Sequence, residues 1–234
     1  MKKIVYIGTD KWSLQLEKLS KSNSFSIIHA VIPISSRDLL EICKRKNIPY
    51  TKIDNVNDLE SYLLELDFDL YVVIGHPYLL QKPLLAISEG IGFHPSLLPK
   101  RRGRAPINWA IIDDLSESGV TLFKLEKKAD NGLIYFQEKF PILKTDTAKT
   151  LIDKVNKILE DNLTDIIRKW PDLDGVKQNN NEASYTARRY PDDGEIKMDM
   201  SVKEADRLVR ALTGPYPSAF IKLKDSKKLY IHTA

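Results

Sequence analysis

The sequence has little cysteine and no long apolar run. Its single cysteine, Cys43, lies in a predicted helix, and one thiol can form neither an internal disulfide nor a cysteine-based zinc site. No stretch approaches the roughly 18 to 20 consecutive apolar residues that a membrane-spanning helix needs. We therefore predict a cytoplasmic protein without a metal site and without thiolate or redox chemistry.

Neither sign of charge is in large excess. The chain carries 36 Lys and Arg against 32 Asp and Glu, a formal net charge of +4, and the charges are dispersed apart from a short basic run at 100–104. Such a mild excess permits an anionic small-molecule substrate but lacks the large electrostatic footprint that nucleic-acid binding requires. At 234 residues, of which 42% are hydrophobic, the chain is long enough for one domain with a small appendage.

Runs of β-branched and aromatic residues alternate with helical patterns over the first half of the chain. This alternation predicts a Rossmann-like, doubly wound α/β fold with a mostly parallel sheet. The run 70–74 is apolar throughout, as a central strand covered on both faces should be. The predicted strands are 4–8, 26–31, 50–53, 70–75 and 91–93, and the predicted helices between them are 14–22, 36–46 and 56–66.

From residue 120 the pattern becomes antiparallel and then helical. Ser201 to Glu204 form a capping box that opens a last helix. The sequence leaves open whether the C-terminal region is a complete minimal appendage or a trimmed piece of a longer protein. The predicted elements are strands 120–124 and 133–140, a helix at 151–170, and strands 220–223 and 229–231. The predicted regions are a catalytic domain (1–178), a linker (179–200) and a small C-terminal α+β region (201–234).

The predicted strand ends locate the functional site, because ligands of open α/β sheets bind outside the carboxyl ends of the strands. His76 and His94 stand at such ends, whereas His29 lies within a strand and is predicted to be structural, and His232 lies near the terminus. Asp130 follows in a turn, where a carboxylate can fix the tautomer of an imidazole and support its protonated form. On spacing alone, an aspartate followed by Asn-Gly is more often an ordinary turn residue.

A set of motifs spans nearly the whole chain in a specific order. They are His94-Pro-Ser-Leu-Leu-Pro99, Arg102-Gly103, Pro106, Gly119-Val-Thr121, Asp130-Asn-Gly-Leu-Ile134, Tyr185-Thr-Ala187, Asp193-Gly194 and the run 210–220. Together they resemble the formyltransferase family, which includes methionyl-tRNA formyltransferases and nucleotide-sugar N-formyltransferases. The resemblance implies transfer of a formyl group from N10-formyltetrahydrofolate to a primary amine. It also implies a Rossmann-like domain without the dinucleotide glycine fingerprint, which is absent after the first strand.

The family site uses an asparagine, a histidine and an aspartate, and His94 and Asp130 match the last two as catalytic residues. The family asparagine normally sits two residues before the histidine, where this sequence has Gly92. An amide there would help to hold the oxyanion of the tetrahedral intermediate, and losing such a donor costs on the order of a hundredfold in turnover. We expect His94 and Asp130 to lie on surface turns, and we expect Gly92→Asn to lower turnover because the new side chain enters a packed strand end.

The resemblance also implies where the two substrates lie. The pterin of the folate is expected against the strand-end loop, with Asp130 on the donor side as well, and Trp12 matches the family position that contacts the acceptor. A nucleotide diphosphate needs cations, and its base needs an aromatic face. The expected donor-binding residues in the loop are His76, Pro77, Tyr78 and Leu79. The expected acceptor-binding residues are Asp10, Lys11, Trp12, Ser96, Arg102, Arg104 and Tyr185, with Arg188, Arg189 and Tyr190 as further sources of charge or stacking.

The sequence favours a nucleotide-linked amino dideoxy sugar, for surface polysaccharide or lipopolysaccharide biosynthesis, over a tRNA. Methionyl-tRNA formyltransferases carry a longer basic loop after the second strand and a full C-terminal β-barrel. Here 33–36 is predicted to pass directly into a helix, and we expect only a short C-terminal region after Phe220. Two alternatives stay open: a methionyl-tRNA formyltransferase-like enzyme, and a folate- or nucleotide-binding homologue that lost turnover with the asparagine.

The C-terminal region is expected to form a homodimer contact. The turn 215–220 is predicted to expose two aromatic side chains beside short strands with unpaired edges, which a second copy would cover. Neither a nucleic acid nor a membrane is expected as a partner.

Overall fold

The computed structural model describes residues 1–54, 59, 62–75, 85–86, 88–224 and 226–233. In this part of the chain the helices are α1 (Ser13–Leu19), α2 (Asp38–Arg45), α3 (Pro106–Ile112), α4 (Ala148–Lys169) and α5 (Val202–Ala211). The strands are β1 (Lys2–Gly8), β2 (Phe25–Pro33), β3 (Tyr50–Ile53), β4 (Leu70–Ile74), β5 (Glu89–His94), β6 (Arg102–Gly103), β7 (Glu117–Lys124), β8 (Ile134–Pro141), β9 (Tyr185–Thr186), β10 (Ala219–Lys222) and β11 (Lys228–Ile231).

Seven of these strands form one central sheet in the order β3-β2-β1-β4-β5-β7-β8. Strands β1 to β5 run parallel, whereas β7 is antiparallel to β5 and β8 is antiparallel to β7. The predicted mostly parallel, Rossmann-like α/β fold is confirmed. Five of the eleven residues of the predicted helix 56–66 lie outside the described residues. No helix within the described part of the chain is long and apolar enough to cross a membrane.

Apolar side chains cover both faces of the sheet, because successive residues of a strand point to opposite sides. Ile4 and Tyr6 of β1 join a cluster with α1, α2 and α4, whereas Val5 and Ile7 join a second cluster on the other face. Strand β4 is buried along its whole length, as its apolar run predicts. Cys43 is buried on α2, and burial raises the pKa of its thiol to about 11, which keeps it protonated.

Local sequence signals set the bounds of the long helix α4. The side chain of Thr147 accepts a hydrogen bond from the backbone N–H of Thr150, and the Thr150 hydroxyl accepts one from the backbone N–H of Thr147. This capping box satisfies two backbone N–H groups at the start of the helix. At the other end Trp170 is extended because Pro171 follows it, and a residue before proline is disfavoured in a helical conformation.

Residues beyond 178 pack against elements of the predicted domain 1–178. The predicted linker contains β9, which pairs in parallel with β6, and Arg102 N–H donates to Ser184 O at 2.8 Å. Helix α5 begins at the predicted Ser201 capping box and packs against α3, where Asn108 Nδ2 donates to Ala211 O at 2.7 Å. The C-terminal region therefore reaches the same end of the sheet as β6 and α3.

Asp10 is predicted to bind substrate, but its carboxylate caps helix α2 instead. Oδ1 accepts from Ser36 Oγ at 2.5 Å and from Leu39 N–H at 3.1 Å, and Oδ2 accepts from Arg37 N–H at 2.8 Å. These backbone groups at the start of a helix have no partner within the helix itself. Burial alone would raise the pKa of Asp10, but the hydrogen bonds from Ser36 and from the α2 backbone outweigh it and lower that pKa.

We expect Asp10→Ala to lower the free energy of unfolding by about 1 to 2 kcal/mol at pH 7, because the α2 start loses its cap. The folded-state pKa of Asp10 is lowered, so this stability is present at neutral pH and is lost as the pH falls through that folded-state value. Urea unfolding at several pH values measures both effects. The exposed Asp199→Ala is the matched control, and an equal change in the two variants would contradict the capping role.

Candidate active site

A cavity of about 700 Å³ opens at the carboxyl ends of β1, β4 and β5, where the sequence predicts the site. The order of the strands reverses at β1, which has β2 on one side and β4 on the other, so the cavity lies at the topological switch point. Its walls come from the segment after β1, the ends of β4 and β5, the turn around β6, the residues that follow β7, and the C-terminal third of the chain.

His94 is the last residue of β5, and its ring has one defined tautomer when neutral. Its Nε2 lies 2.7 Å from Arg101 O, and because a carbonyl oxygen only accepts hydrogen bonds, Nε2 carries a proton. The neutral ring therefore leaves Nδ1 unprotonated, and Nδ1 faces Asp130 Oδ1 at 3.7 Å. This nitrogen can accept a proton, and the imidazolium that results would have a carboxylate as its partner.

Asp130 lies in the turn before β8, with a left-handed backbone at φ +52°. Its Oδ2 accepts from Gly103 N–H at 2.8 Å, so the backbone of β6 holds the carboxylate beside the imidazole. The structure thus brings His94 and Asp130 together. The expectation that both sit on surface turns is wrong for His94, which is only 5% exposed because β4 and β7 flank β5.

Gly92 lines the cavity two residues before His94, and another side chain fills the space beside it. A Cβ added at Gly92 would lie 2.5 Å from Leu125 Cδ2 and 3.3 Å from Phe123 Cζ, and the first distance is shorter than carbon atoms tolerate. The backbone of Leu125 is fixed by its N–H, which donates to Gly90 O at 2.7 Å. Leu125 therefore occupies the room that an amide side chain at 92 would need.

Lys11 places a partly buried ammonium group on the cavity wall. Its Nζ donates to Tyr216 Oη at 2.9 Å and lies 4.2 Å from the centre of the Tyr216 ring. No carboxylate of the described residues forms an ion pair with it, and burial lowers the pKa of Lys11 to about 8. The phenol and the ring face are neutral partners, so the charge is not balanced within the protein.

Arginines extend this cationic wall. Arg189 stacks over Trp109 at 5.0 Å, and its buried Nε has no hydrogen-bond partner. Burial lowers the pKa of Arg189, against the opposing effect of Asp193. Arg104 and Arg188 line the cavity too, so four cations face two carboxylates, those of Glu126 and Asp130, and the lining is net positive.

Another part of the cavity lining is apolar. Trp12 packs edge-on against Phe93, with ring centres 4.8 Å apart, and lies directly on Gly75 at the end of β4. Gly75 has φ +81°, and a Cβ there would lie 2.3 Å from Trp12 Cδ1, so both the turn and the close approach require glycine. Other apolar lining residues include Val73, Leu85, Phe123 and Leu125.

Only some of the predicted binding residues lie at the cavity. Lys11, Trp12 and Arg104 line it, as do Arg188 and Arg189. The loop residues predicted to hold the pterin, which are His76, Pro77, Tyr78 and Leu79, lie outside the described part of the chain.

Ser96, Arg102 and Tyr185 are predicted to bind the acceptor, but the structure places them away from the cavity lining. Ser96 is buried and donates to Lys100 O at 2.8 Å, which shapes its own loop. Arg102 is only 1% exposed and bonds to Gln178, and Tyr185 Oη accepts from it at 3.3 Å. The polar groups of these three side chains therefore form hydrogen bonds within the protein.

Leu125 and Tyr216 are among the lining residues that the sequence analysis did not predict. Tyr216 belongs to the 210–220 motif, but the expectation that this turn exposes two aromatics is wrong: Tyr216 meets Lys11, and Phe220 is 2% exposed. Membership of this motif was therefore the one feature of the sequence that could have indicated a role for Tyr216. Among the described residues, no group of three or more His, Cys, Asp or Glu is arranged to hold a metal ion.

Comparison with known proteins identifies the family. The Formyl transferase profile matches residues 2–167, and the Formyl transferase, C-terminal domain profile matches residues 189–234. The fold is similar to that of a sugar N-formyltransferase from Shewanella sp FDAARGOS_354, with 20% identity, a TM-score of 0.77, and coverage of 99% of this chain and 97% of that one.

Two further solved structures share the fold. Methionyl-tRNA formyltransferase from Clostridium thermocellum is 20% identical with a TM-score of 0.73, over 99% of this chain and 97% of that one. HypX from Aquifex aeolicus, solved in complex with tetrahydrofolic acid, is 16% identical with a TM-score of 0.74, over 99% of this chain and 37% of that one. Because the first profile alone matches more than half of the residues, including the sheet and the His94–Asp130 pair, the chain belongs to the formyl transferase family.

Proposed function

We propose that this protein transfers a formyl group from N10-formyltetrahydrofolate to the primary amine of a nucleotide-linked amino sugar. The observation that carries the proposal is the unpaired ammonium of Lys11 in the same cavity as the His94–Asp130 pair. The pair supplies a site for a proton, and the unpaired cation supplies a place for an anionic acceptor.

The charge of the cavity supports a diphosphate on the acceptor. A buried cation without an anion is costly, and a ligand anion that pairs with it recovers that cost. Lys11 and Arg189 are both desolvated, and neither ammonium nor guanidinium is fully partnered within the described residues. A volume of about 700 Å³ is in the range of small-molecule sites. The similar sugar N-formyltransferase adds support for an amino sugar.

The apolar side of the cavity supports the folate donor. Val73, Leu85, Phe123 and Leu125 form an uncharged surface that suits a flat heteroaromatic ring. When bound there, the donor supplies a formyl carbon activated by its bond to N10. The folate-bound HypX structure is consistent with a donor of this class on this fold.

His94 acts on the proton that the attacking amine loses. The amine nitrogen bonds to the formyl carbon, the carbonyl electron pair moves onto oxygen, and His94 Nδ1 takes the amine proton. Asp130 then pairs with the imidazolium, which returns the proton to N10 as the bond between N10 and the formyl carbon breaks. The products are the formamide and tetrahydrofolate, so atoms and charge balance.

A second candidate is a homologue that binds both ligands without turnover. Gly92 favours it, because Leu125 fills the space where an amide would hold the oxyanion. A protonated His94 can supply part of that stabilisation, which is why we place catalysis first.

We also propose a homodimer through the C-terminal region and a role in surface polysaccharide biosynthesis. Apolar side chains remain exposed on the β10–β11 hairpin, including Leu229 (54%) and Tyr230 (50%), and a second copy would cover them. The dimer and the cytoplasmic location stay predictions.

The function is tested by incubating the protein with N10-formyltetrahydrofolate and a panel of nucleotide-linked 3-amino and 4-amino sugars. We expect one acceptor to gain the mass of a single formyl group. His94→Ala and Asp130→Ala should each lower the rate at least a hundredfold with the fold intact by circular dichroism, because each removes part of the proton relay.

His232→Ala is the matched control, since His232 bonds to Ser218 on the C-terminal hairpin. Near-normal rates in the His94 and Asp130 variants would contradict their roles. If methionyl-tRNA is formylated and no amino sugar is, the proposed acceptor class is wrong. Tight binding of both ligands without product would favour the second candidate.

The pH dependence of anion binding tests Lys11. With a free-protein pKa of about 8, Lys11 is charged at pH 7, so affinity for a nucleoside diphosphate should be full there and should fall by about tenfold in total as the pH rises above 8. Tyr216 stays neutral in this range because burial raises its pKa to about 12, and the arginines stay charged.

Calorimetric titration with UDP and with dTDP from pH 7 to 9.5 measures this dependence. We expect Lys11→Met to weaken binding about tenfold at pH 7 and to remove the fall above pH 8. Lys11→Arg should retain affinity and also lose the fall, because its charge does not titrate here. The same pH slope in Lys11→Met as in the parent protein would show that the anion does not bind at Lys11.

The close packing of Leu125 on Gly92 predicts the effect of restoring an asparagine at position 92. Gly92→Asn should lower the single-turnover rate about tenfold or more, because the new side chain must displace Leu125. Adding Leu125→Ala to Gly92→Asn should recover the rate by opening that space, with Leu125→Ala alone as the control. A clear gain in the single-turnover rate from Gly92→Asn alone would contradict this prediction.

A further inference from the structure

Arg102 is one of the largest fully buried side chains, and its hydrogen-bond partners are all neutral. Nε and Nη2 donate to Gln178 Oε1 at 3.2 and 2.7 Å, and Nη2 also donates to Asn180 Oδ1 at 2.9 Å. Because Gln178 Oε1 is bound to a guanidinium, which has only donors, the NH₂ end of the amide must point the other way. Arg102 therefore fixes the orientation of Gln178.

The NH₂ end of Gln178 binds the turn that carries Asp130. Nε2 donates to Asp130 O at 3.0 Å and to Gly132 O at 2.8 Å, so both of its hydrogens are used. The turn also packs tightly on the end of β7, since a Cβ at Gly132 would lie 1.8 Å from Lys124 O. A left-handed backbone is unfavourable for an aspartate, and these two bonds stabilise the turn that requires it.

The neighbours of Arg102 hold the reactive pair directly. Arg101 O accepts from His94 Nε2, and Gly103 N–H donates to Asp130 Oδ2. Three consecutive residues thus orient the imidazole, the carboxylate and, through Gln178, the turn beneath the carboxylate. A shift of Asp130 by about 1 Å would change its separation from His94 Nδ1 by an amount that matters for proton transfer.

We propose that Gln178, oriented by Arg102, is a positioning residue for Asp130. Neither side chain lines the cavity, so neither touches substrate; their effect passes through the 130–132 turn. This inference rests on the proposed function for its kinetic consequences, but the positioning itself can be measured without activity.

Gln178→Glu is the test variant, because it keeps the size of the side chain and an acceptor for Arg102. It replaces the two donors with an oxygen that faces two carbonyl oxygens. We expect kcat to fall about 10- to 100-fold while KM for both substrates stays within threefold. Gln178→Asn, one methylene shorter, serves if the first variant does not fold. Asn180→Ala is the matched control, since it removes an acceptor of Arg102 but leaves the Gln178 bonds, and its kcat should stay within twofold.

A double-mutant cycle separates positioning from a loss of stability. In an Asp130→Asn background, single-turnover measurements should show no further loss from Gln178→Glu, because the residue acts through Asp130. Losses that multiply would overturn the proposal. So would a parental kcat in both Gln178 variants.

Amide hydrogen exchange at Gly103 gives the readout that needs no activity. Its N–H donates to Asp130 Oδ2, so exchange should become at least tenfold faster in Gln178→Glu and stay unchanged in Asn180→Ala. If the parent protein transfers no formyl group, the proposed function fails, and this exchange alone then decides the positioning role. Unchanged exchange at Gly103 in the Gln178 variants would overturn it.

Discussion

The hydrogen bond from His94 Nε2 to the carbonyl oxygen of Arg101 decides which ring nitrogen can accept a proton. With Nε2 committed as a donor, the lone pair lies on Nδ1, next to Asp130 Oδ1. The carboxylate is held in turn by Gly103 N–H, two residues along the same segment. Because one short segment fixes both groups, the direction of proton transfer depends on the backbone of 101–103 more than on any single side chain.

The same segment shows why cations of one chemical type have different roles. Arg102 is surrounded by amide and phenol oxygens that satisfy its donors, so its charge is used to order Gln178 and the turn below Asp130. Lys11 and Arg189 are also desolvated and both line the cavity, but neither has all of its donors satisfied within the described residues. A desolvated cation with unsatisfied donors binds an anionic ligand more strongly than a solvated one, because less water must be displaced.

The space beside Gly92 is filled by apolar side chains. Leu125 and Phe123 occupy the volume that an amide would need, which continues the uncharged surface begun by Trp12 and Phe93. The proposed catalysis therefore relies on the protonated form of His94 for stabilising negative charge. A cationic donor in a site shielded from water can contribute strongly to such stabilisation, since the local dielectric is low.

Sequence alone determined the features that depend on local pattern. The alternation of β-branched and aromatic runs with helical patterns predicted the parallel strands. The rule for their carboxyl ends predicted the cavity, and motif order predicted the pairing of His94 with Asp130. The Ser201 capping box was also readable, because a cap involves residues three positions apart.

Tertiary structure decided which polar residues face the cavity. Asp10 and Lys11 are adjacent in the chain, yet Asp10 caps α2 through Ser36, Arg37 and Leu39, whereas Lys11 meets Tyr216 at the far end of the sequence. Arg102 and Arg104 are equally plausible as ligands for an anion from the sequence, but Arg102 bonds to Gln178 and Asn180, whereas Arg104 lines the cavity. Whether a charged group is satisfied within the protein or left for a ligand depends on partners distant in sequence, which no local pattern encodes.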